Sequence, residues 1–521
     1  MLKQLLSNLR GNRGHGGRAP DALPYQPDPV DPPGDTAEPG RAALQDWLKW
    51  DRLPPFNAED LYADPMRAQA AQLLAMSADQ QRVESLLCGL LARPEPHPAD
   101  YLLYAETLLR QGNHDGTQAL LREVEAFPPA LRARAACING QLEFHRGDFV
   151  ATRRWIDIAL AFAPHSAAVQ VLNGMLLDAE GRLDEAVVQF RGMLATRPDD
   201  YTARIRLCIA LHGQGRIAEG LHELVTADAL IHAASGSAEI PLWDGRPLQR
   251  ETILITSNAG IGDILQNMRY ARRLRLQAPE ARLVLWTRAE MASIAPLTGW
   301  FDEVSSDPTL DSSRFDWQIS LVSLALLHFL DEKRPDLSQA YIRSKPERLE
   351  AMRLALANCL HTPQAGSRSL RVGLRWSGDA SSIDSRRNVP PERLHPLFQL
   401  PGICWVALLE RGNEQRAWVA SGATPMVDVS EHLGSLADTA ALIENLDLVI
   451  SVDTSVAHLA GALGVRTWLL CRPESEPRWG AGEQSSLYAS VRTFRHPGKL
   501  DWERVLGDVA DALALFTKQR D

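Results

Sequence analysis

The sequence has little of what marks secreted, membrane-spanning or disulfide-built proteins. Its six cysteines are scattered, and no two form the Cys-x-x-Cys pair that zinc and redox sites use. No hydrophobic run approaches the length of a membrane-spanning helix. The N-terminal stretch MLKQLLSNLR has no apolar core of the kind found in secretory signals. We therefore expect a cytoplasmic protein whose cysteines are reduced.

Several common functional signatures are also missing. The formal net charge is −10, whereas a general nucleic-acid binder carries a basic domain, so we expect no nucleic-acid partner. No HExxH, GxSxG or Walker A motif occurs. An Asp-x-Asp pair, which often holds a divalent ion on a diphosphate, is absent as well. The sequence therefore predicts no bound metal and no cofactor.

The N-terminal region is rich in proline and glycine and poor in hydrophobic residues. A chain of 521 residues is too long for one core, so several domains are expected. Residues 1–60 contain too few apolar side chains to offset the entropy of ordering, and we expect a flexible leader.

A helical repeat follows the leader, over residues 61–235. Gly112, Gly147, Gly181 and Gly215 recur at spacings of 35, 34 and 34 residues, each where a first helix would end. A period near 34 with this pattern resembles the tetratricopeptide repeat. Such helical hairpins must stack, because one hairpin cannot bury its own apolar face. The resulting groove favours partner binding or self-association, and a pure spacer is the alternative.

Strand and helix signals alternate after residue 236, which is typical of α/β domains. We divide this part into residues 236–365 and 366–521, with a linker around residues 361–369. The predicted strands are Glu251–Ser257, Arg282–Thr287, Trp317–Leu324, Leu370–Trp376, Ile403–Glu410, Leu448–Val452 and Thr467–Cys471, and the predicted helices are Ile264–Gln277, Arg343–Leu360 and Asp501–Phe516.

One stretch, Leu446–Gly464, combines a buried strand, a sharp turn and a small-residue helix. Asp453, Thr454 and Ser455 stand at the carboxyl end of the strand, where open α/β sheets bind ligands. Thr454 and Ser455 can offer hydroxyl and N–H groups to an anion, whereas Asp453 suits the hydroxyls of a sugar or ribose. His458 shares their helical face, as a ligand contact or as a structural histidine.

A glycine-rich turn, NAGIGD at residues 258–263, follows the first α/β strand. Gly260 and Gly262 let a ligand approach the backbone. Asp263 stands at the mouth of this turn. Its carboxylate is either a general base for an acceptor hydroxyl or a cap of the following helix.

The loop at residues 375–388 supplies positive charge. Arg386 and Arg387 are candidates to balance a diphosphate, because a planar guanidinium matches phosphate oxygens. Ser377 offers a further donor, although a solvated loop serine is the simpler interpretation. Arg478 and Trp479 could line the same cleft, but a rim salt bridge and a packed indole are favoured for them.

The stretch VDTSVAHLAGALG, the strand-GxGD turn, the W-S-G…R-R loop and the RW…DW tail together resemble the heptosyltransferase-like glycosyltransferases of family 9. The repeats resemble those of protein O-GlcNAc transferases in architecture only. The resemblance implies an all-α tetratricopeptide solenoid followed by a GT-B domain with two Rossmann-like lobes. It implies an inverting transferase with Asp263 as base, and the missing Asp-x-Asp pair favours a metal-independent route. The resemblance also places Asp453, Thr454, Ser455 and His458 around the donor and best matches Arg387 to the diphosphate. With the residues named from their own chemistry, the expected donor site comprises Gly260, Gly262, Ser377, Arg386, Arg387, Asp453, Thr454, Ser455 and His458.

Three hypotheses follow. In the first, the protein transfers a sugar from a nucleotide-sugar to a hydroxyl of a protein or surface glycan presented by the repeats. In the second, the repeats are a scaffold and the transferase-like part is inactive. In the third, the acceptor is a small or lipid-linked molecule and the repeats only dimerise. Ser377-Gly378-Asp379 and Cys471-Arg472-Pro473 depart from related sequences and motivate the second hypothesis.

Overall fold

The structure is a computed structural model that describes residues 64–518, with gaps at 76–79, 122–128, 235–239, 258, 308, 332–335, 360–368, 379–384, 411–412, 414, 423, 474–476, 481 and 497–499. The predicted leader and the 361–369 linker, except for its last residue, lie outside the described residues. The chain forms two compact units, one ending at Asn173 and the other beginning at Gly174. None of the described helices has the length and apolar composition that a membrane span requires.

Paired helices make up the described part of the first unit. Gly112 and Gly147 each follow the first helix of a pair, with φ of 75° and 76°. Glycine adopts this left-handed conformation without steric cost, so it ends each helix where the period predicts. The helices are α1 (Pro65–Ala75), α2 (Gln80–Leu91), α3 (Pro98–Arg110), α4 (His114–Leu120), α5 (Pro129–Arg146), α6 (Phe149–Phe162) and α7 (Ala167–Ala179), of which α7 continues into the second unit.

The second unit opens with the same helical pattern. Gly181 and Gly215 both have φ of 76°. A Cβ atom at Gly174 would lie 2.4 Å from the ring of Phe190, so the glycine permits close helix packing. The predicted helical region is therefore confirmed. Its helices here are α8 (Leu183–Thr196), α9 (Tyr201–Gly213) and α10 (Ile217–Ala234).

A four-stranded parallel sheet follows, with the strand order β3-β2-β1-β4. Central strand β1 is apolar and buried, as a strand covered on both faces must be. Helix α10 of the last repeat packs against α13 of this layer. The elements are β1 (Thr252–Thr256), α11 (Ile261–Met268), α12 (Ala271–Gln277), β2 (Arg282–Trp286), β3 (Glu303–Ser305), β4 (Trp317–Ser320) and α13 (Leu321–Phe329).

A second parallel sheet has six strands in the order β10-β9-β8-β5-β6-β7. Every residue of β8 is buried, and the core beneath the sheet includes Trp376 and Trp405. The elements are α14 (Pro346–Cys359), β5 (Leu370–Arg375), α15 (His395–Phe398), β6 (Ile403–Ala407), α16 (Arg416–Ala420), β7 (Val427–Asp428), α17 (Leu436–Glu444), β8 (Leu448–Val452), α18 (Ser455–Leu463), β9 (Thr467–Leu470), β10 (Val491–Phe494) and α19 (Trp502–Lys518).

Most predicted elements differ from the structure by a few residues at their ends, and two differ more. The strand expected at Trp317–Leu324 ends at Ser320, whose hydroxyl accepts the N–H of Ser323 and caps α13. The helix expected at Ile264–Gln277 begins earlier and is two helices, α11 and α12, separated at Arg269 and Tyr270. The residues on both sides of Ser320 are apolar, so the sequence pattern alone does not show where the strand ends and the helix begins.

The two sheets are joined through a buried arginine between these helices. Arg269 is 3% exposed and donates to the backbone oxygens of Leu337 and Leu487. Its guanidinium also lies 4.2 Å from the centroid of the Tyr488 ring. Arg269 therefore ties the first sheet's layer to the segment between the sheets and to the second sheet's layer.

Candidate functional site

The corner between β8 and α18 has the predicted order of strand, turn and helix. Thr454 is the N-cap residue of α18, and Ser455 is the first residue of the helix. The Thr454 side chain makes no capping hydrogen bond, and its Oγ1 lies 3.2 Å from Oγ of Ser451 instead. The Thr454 hydroxyl therefore does not cap the helix. The first N–H groups of α18 are left without that partner at the end of the sheet where ligands bind.

The basic loop reaches this corner through Arg387. Its Nη1 donates to the backbone oxygen of Asp453 over 3.0 Å. The guanidinium lies directly on Gly378, where a Cβ atom would be 2.4 Å from Nη2. Gly378 in turn donates its N–H to the side chain of Asn388 over 2.8 Å. Arg387 is thus held at the β8–α18 corner by its hydrogen bond to Asp453, and Gly378 leaves room for its guanidinium.

Two other residues expected in this loop are placed differently. Arg386 is 8% exposed and Ser377 is 6% exposed, and neither is among the described residues that line the cleft. The Ser377 hydroxyl is buried without a hydrogen-bond partner in the described part of the chain. The structure therefore brings Arg387 to the cleft wall but not Arg386 or Ser377.

Asp263 lies in the first turn of α11, three residues after the N-cap residue Gly260. The helix-cap interpretation of Asp263 is therefore wrong. Its carboxylate instead accepts a hydrogen bond from Nη1 of Arg478, which belongs to the second sheet's layer. The two side chains are 45% and 23% exposed. The salt bridge expected for Arg478 exists, and its partner is the predicted base.

Glycine in the turn serves helix packing as well as access. A Cβ atom at Gly262 would lie 2.8 Å from Cδ2 of His458, so α11 and α18 approach closely here. At Gly260, which lines the cleft, a Cβ atom would be 3.3 Å from the Asp263 carboxylate. Gly262 also borders the cleft. The close approach of His458 already explains why this position is a glycine.

His458 is 2% exposed and lies in an aromatic cluster. Its Nδ1 is 3.1 Å from the Tyr488 hydroxyl, and its ring centroid is 4.5 Å from that of Trp479. Burial, with the nearby charges of Arg478 and Arg269, holds the pKa of His458 well below its ordinary value. The imidazole is therefore neutral at neutral pH. Its Nε2 is 3.8 Å from Oδ1 of Asp453.

These groups surround one cleft of about 940 Å³ between the two sheets' layers. This volume suits a molecule of nucleotide-sugar size. The predicted site residues that line it are Gly260, Gly262, Asp263, Arg387, Asp453, Thr454, Ser455 and His458. In the described part of the chain, no three His, Cys, Asp or Glu side chains are placed to hold a metal ion. The absence of a metal requirement stays a prediction.

Two cleft residues were missed as donor-site candidates. Arg375 ends β5, is 5% exposed, and donates to Oε2 of Glu410 over 2.6 Å. Burial raises the pKa of the Glu410 carboxyl, but the hydrogen bond and charge of Arg375 outweigh it and lower that pKa. An arginine in an apolar strand was the available signal, because a buried charge needs a partner of opposite charge. Arg478 was named from the sequence as a possible cleft residue, but a rim salt bridge was favoured for it.

Part of the second sheet's layer matches a known protein family. Residues 410–499 match the family described as glycosyltransferase family 9 (heptosyltransferase). The resemblance to family 9 is confirmed for this segment. It contains the β8–α18 corner and Arg478, and it supports a glycosyltransferase. Asp263, Arg375 and Arg387 lie outside the matched residues.

A curated relative extends the similarity over more of the chain. Protein FlbA of Caulobacter vibrioides is 26% identical over 411 residues, which are 71% of this chain. The match spans 65% of FlbA, less than two thirds of that protein's length.

Solved structures match parts of this chain at low identity. A family 9 glycosyl transferase from Veillonella parvula is 11% identical, with a TM-score of 0.39, over 51% of this chain and 90% of its own. The ADP-heptose heptosyltransferase II of E. coli is 13% identical, with a TM-score of 0.38, over 51% and 99%. A Thermobaculum terrenum O-GlcNAc transferase is 15% identical, with a TM-score of 0.29, over 80% and 89%.

Proposed function

We propose that the protein is an inverting, metal-independent glycosyltransferase that moves a sugar from a nucleotide-sugar to an acceptor hydroxyl. The two sheets and their helices would be the Rossmann-like lobes of a GT-B domain, divided near residue 365. The observation that carries the proposal is the cleft in which Asp263 faces the β8–α18 corner and Arg387. The family 9 match at residues 410–499 supports it independently.

The donor would lie against the second lobe. Its diphosphate brings about two negative charges, which need cationic partners in a partly buried site. Arg387 and the start of α18 at Thr454 and Ser455 supply positive charge and N–H donors. Asp453 would accept hydrogen bonds from sugar or ribose hydroxyls. Because these groups balance the leaving group, the proposal requires no divalent ion.

The reaction would proceed as a single displacement. Asp263 accepts the proton of the acceptor hydroxyl as its oxygen forms a bond to the anomeric carbon. The bond between that carbon and the diphosphate oxygen breaks, and the nucleoside diphosphate departs with the electron pair. Attack from the face opposite the leaving group inverts the anomeric configuration. The neutral His458 would add no positive charge to the site and would keep α18 in position.

The acceptor would reach the cleft along the last repeat. Helix α9 contacts the 3₁₀ turn Pro477–Trp479, which carries Arg478. Tyr201, the first residue of α9, is 46% exposed. Burial raises the pKa of its hydroxyl, and the carboxylates of Asp228 and Asp263 raise that pKa further. Tyr201 is close enough to Asp263 for the two groups to interact electrostatically. An exposed tyrosine at this position suits contact with an acceptor protein or glycan.

Location and assembly complete the proposal. All six cysteines are free, as a cytoplasmic protein would have them. The repeats, proposed for residues 61–235, would bind the acceptor in their groove or associate with a second copy of the chain.

A donor screen tests the proposal. Calorimetric titration with UDP-, GDP-, ADP-, dTDP- and CMP-sugars should identify one that binds, and Asp263→Asn should keep that binding. The variant should lose transfer about 10²–10⁴-fold, the usual contribution of a general base. Full activity of Asp263→Asn would remove Asp263 as base. If none of the five donors binds, the scaffold hypothesis is favoured.

A further inference from the structure

The ion pair between Arg478 and Asp263 engages the carboxylate that is proposed to act as the general base. Nη1 of Arg478 donates to Oδ1 of Asp263 and to the Gln266 side chain, the latter over 3.3 Å. The guanidinium occupies one of the two carboxylate oxygens that could receive a proton. Both oxygens of Asp263 are therefore available to an acceptor only after this partner has left.

The backbone beneath Arg478 is held by hydrogen bonds and packing, whereas its side chain is partly exposed. The neighbouring Trp479 is fully buried against His458. The Ser486 hydroxyl donates to the backbone oxygen of Arg478 over 3.0 Å, and the Ser486 N–H donates to that of Trp479 over 3.3 Å. The side chains of Arg478 and Asp263 are both partly exposed, and ion pairs of that kind break at little cost.

Arg478 also lines the cleft that contains Arg387 and Thr454. A diphosphate bound at that corner carries more negative charge than a single carboxylate and offers a guanidinium two oxygens at once. It would therefore compete with Asp263 for Arg478.

We infer that Arg478 is a donor-binding residue that leaves Asp263 for the diphosphate when the nucleotide-sugar binds. This inference rests on the proposed function and adds a coupling between its two halves. Donor binding releases the base, so both of its carboxylate oxygens become available only when a sugar is in place. No covalent bond changes in this step, since one ion pair is exchanged for another.

A double-mutant cycle on nucleoside diphosphate binding tests the exchange. The affinities of UDP, GDP and ADP for the full chain are measured by calorimetry, and the tightest is carried forward. Arg478→Gln should weaken binding about 10- to 100-fold, as expected for a lost charged hydrogen bond. Asp263→Asn should strengthen it several-fold, because Arg478 no longer has to leave a carboxylate. In the Arg478→Gln background, Asp263→Asn should have no effect.

Glu290→Gln is the matched control, because Glu290 lines the same cleft and pairs with Arg288 over 2.7 Å. Its effect should be the same with and without Arg478→Gln. Arg478→Lys keeps the charge and should fall between wild type and Arg478→Gln, and circular dichroism verifies that every variant is folded.

Three results would overturn the exchange. Equal affinity of Arg478→Gln and wild type would remove Arg478 from the donor site. If Asp263→Asn still strengthens nucleoside diphosphate binding in the Arg478→Gln background, the effect comes from general repulsion between the carboxylate and the diphosphate. In both cases the proposed function stands. If wild type binds none of the three nucleoside diphosphates, the inference fails, and the screen of five nucleotide-sugars decides whether the proposed function fails with it.

Discussion

Single residues decide how closely the two halves of the cleft approach. Gly262 allows α11 to lie against His458, and Gly378 leaves room for the Arg387 guanidinium. Neither glycine has a positive φ among those recorded for the chain. Glycine is required at these two positions because space is short, and not because of the backbone conformation. Substitution by alanine, which adds one methyl group, therefore tests this requirement.

Gly262→Ala should destabilise the protein by about 1–3 kcal/mol, because the new Cβ atom would overlap His458 at 2.8 Å. Gly507→Ala is the control, since Gly507 is exposed within α19 and a Cβ atom there meets nothing within 4 Å. That change should stabilise by about 0.5–1 kcal/mol through helix propensity. Urea unfolding measures both, and a Gly262→Ala protein as stable as wild type would contradict the packing account.

His458 should make stability depend on pH. Its folded-state pKa is depressed by burial and by Arg478 and Arg269, so below an ordinary pKa of about 6.5 the unfolded chain binds a proton that the folded chain refuses. The free energy of unfolding should therefore fall as pH drops from about 7 to about 5, by at most about 1.4 kcal/mol per pH unit. His458→Gln should lack this component, as urea unfolding across pH would show. Parallel pH profiles for the two proteins would contradict the assignment.

At the scale of elements, the last repeat belongs structurally to the α/β part of the chain. Helix α10 packs on α13, and α9 contacts the turn that carries Arg478. Both contacts lie within the second compact unit. The sequence pattern separates repeats from α/β domain at residue 236, whereas packing associates α8–α10 with the sheets.

Tyr201→Ala should raise the acceptor KM about tenfold and leave donor affinity unchanged, because Tyr201 is exposed on α9 near Asp263. Val188→Ala, which removes a 71% exposed side chain from α8, controls for the general loss of exposed apolar surface. Steady-state kinetics with the identified acceptor and calorimetry with the donor separate the two effects. An unchanged acceptor KM would place the acceptor path elsewhere.

Considered as a whole molecule, the chain places its entire cleft within the second unit. Nucleoside diphosphate at about 100 times its Kd should stabilise the folded site by about 2.7 kcal/mol. Hydrogen exchange should then slow in α11 and α18 and stay unchanged in α3 and α5 of the first unit. Equal protection of both units would show that binding acts on more than the cleft.

Much of the fold could be predicted because its signals are local. The recurring glycines end helices through their own φ angles, and apolar β8 reads as a buried strand from its own residues. Boundaries failed where local signals compete, as at Ser320, where a strand passes directly into a capped helix.

The sequence by itself determined the helical repeats, the parallel α/β layers and the corner at Asp453–Ser455, because these follow from periodicity, turn residues and strand composition. Only the tertiary structure decided that Asp263 meets Arg478, that Gly262 lies on His458, and that Arg387 rather than Arg386 faces the cleft. These contacts join residues about 200 positions apart or distinguish neighbours in one loop. Packing between distant elements sets such contacts, and spacing along the chain carries no information about them.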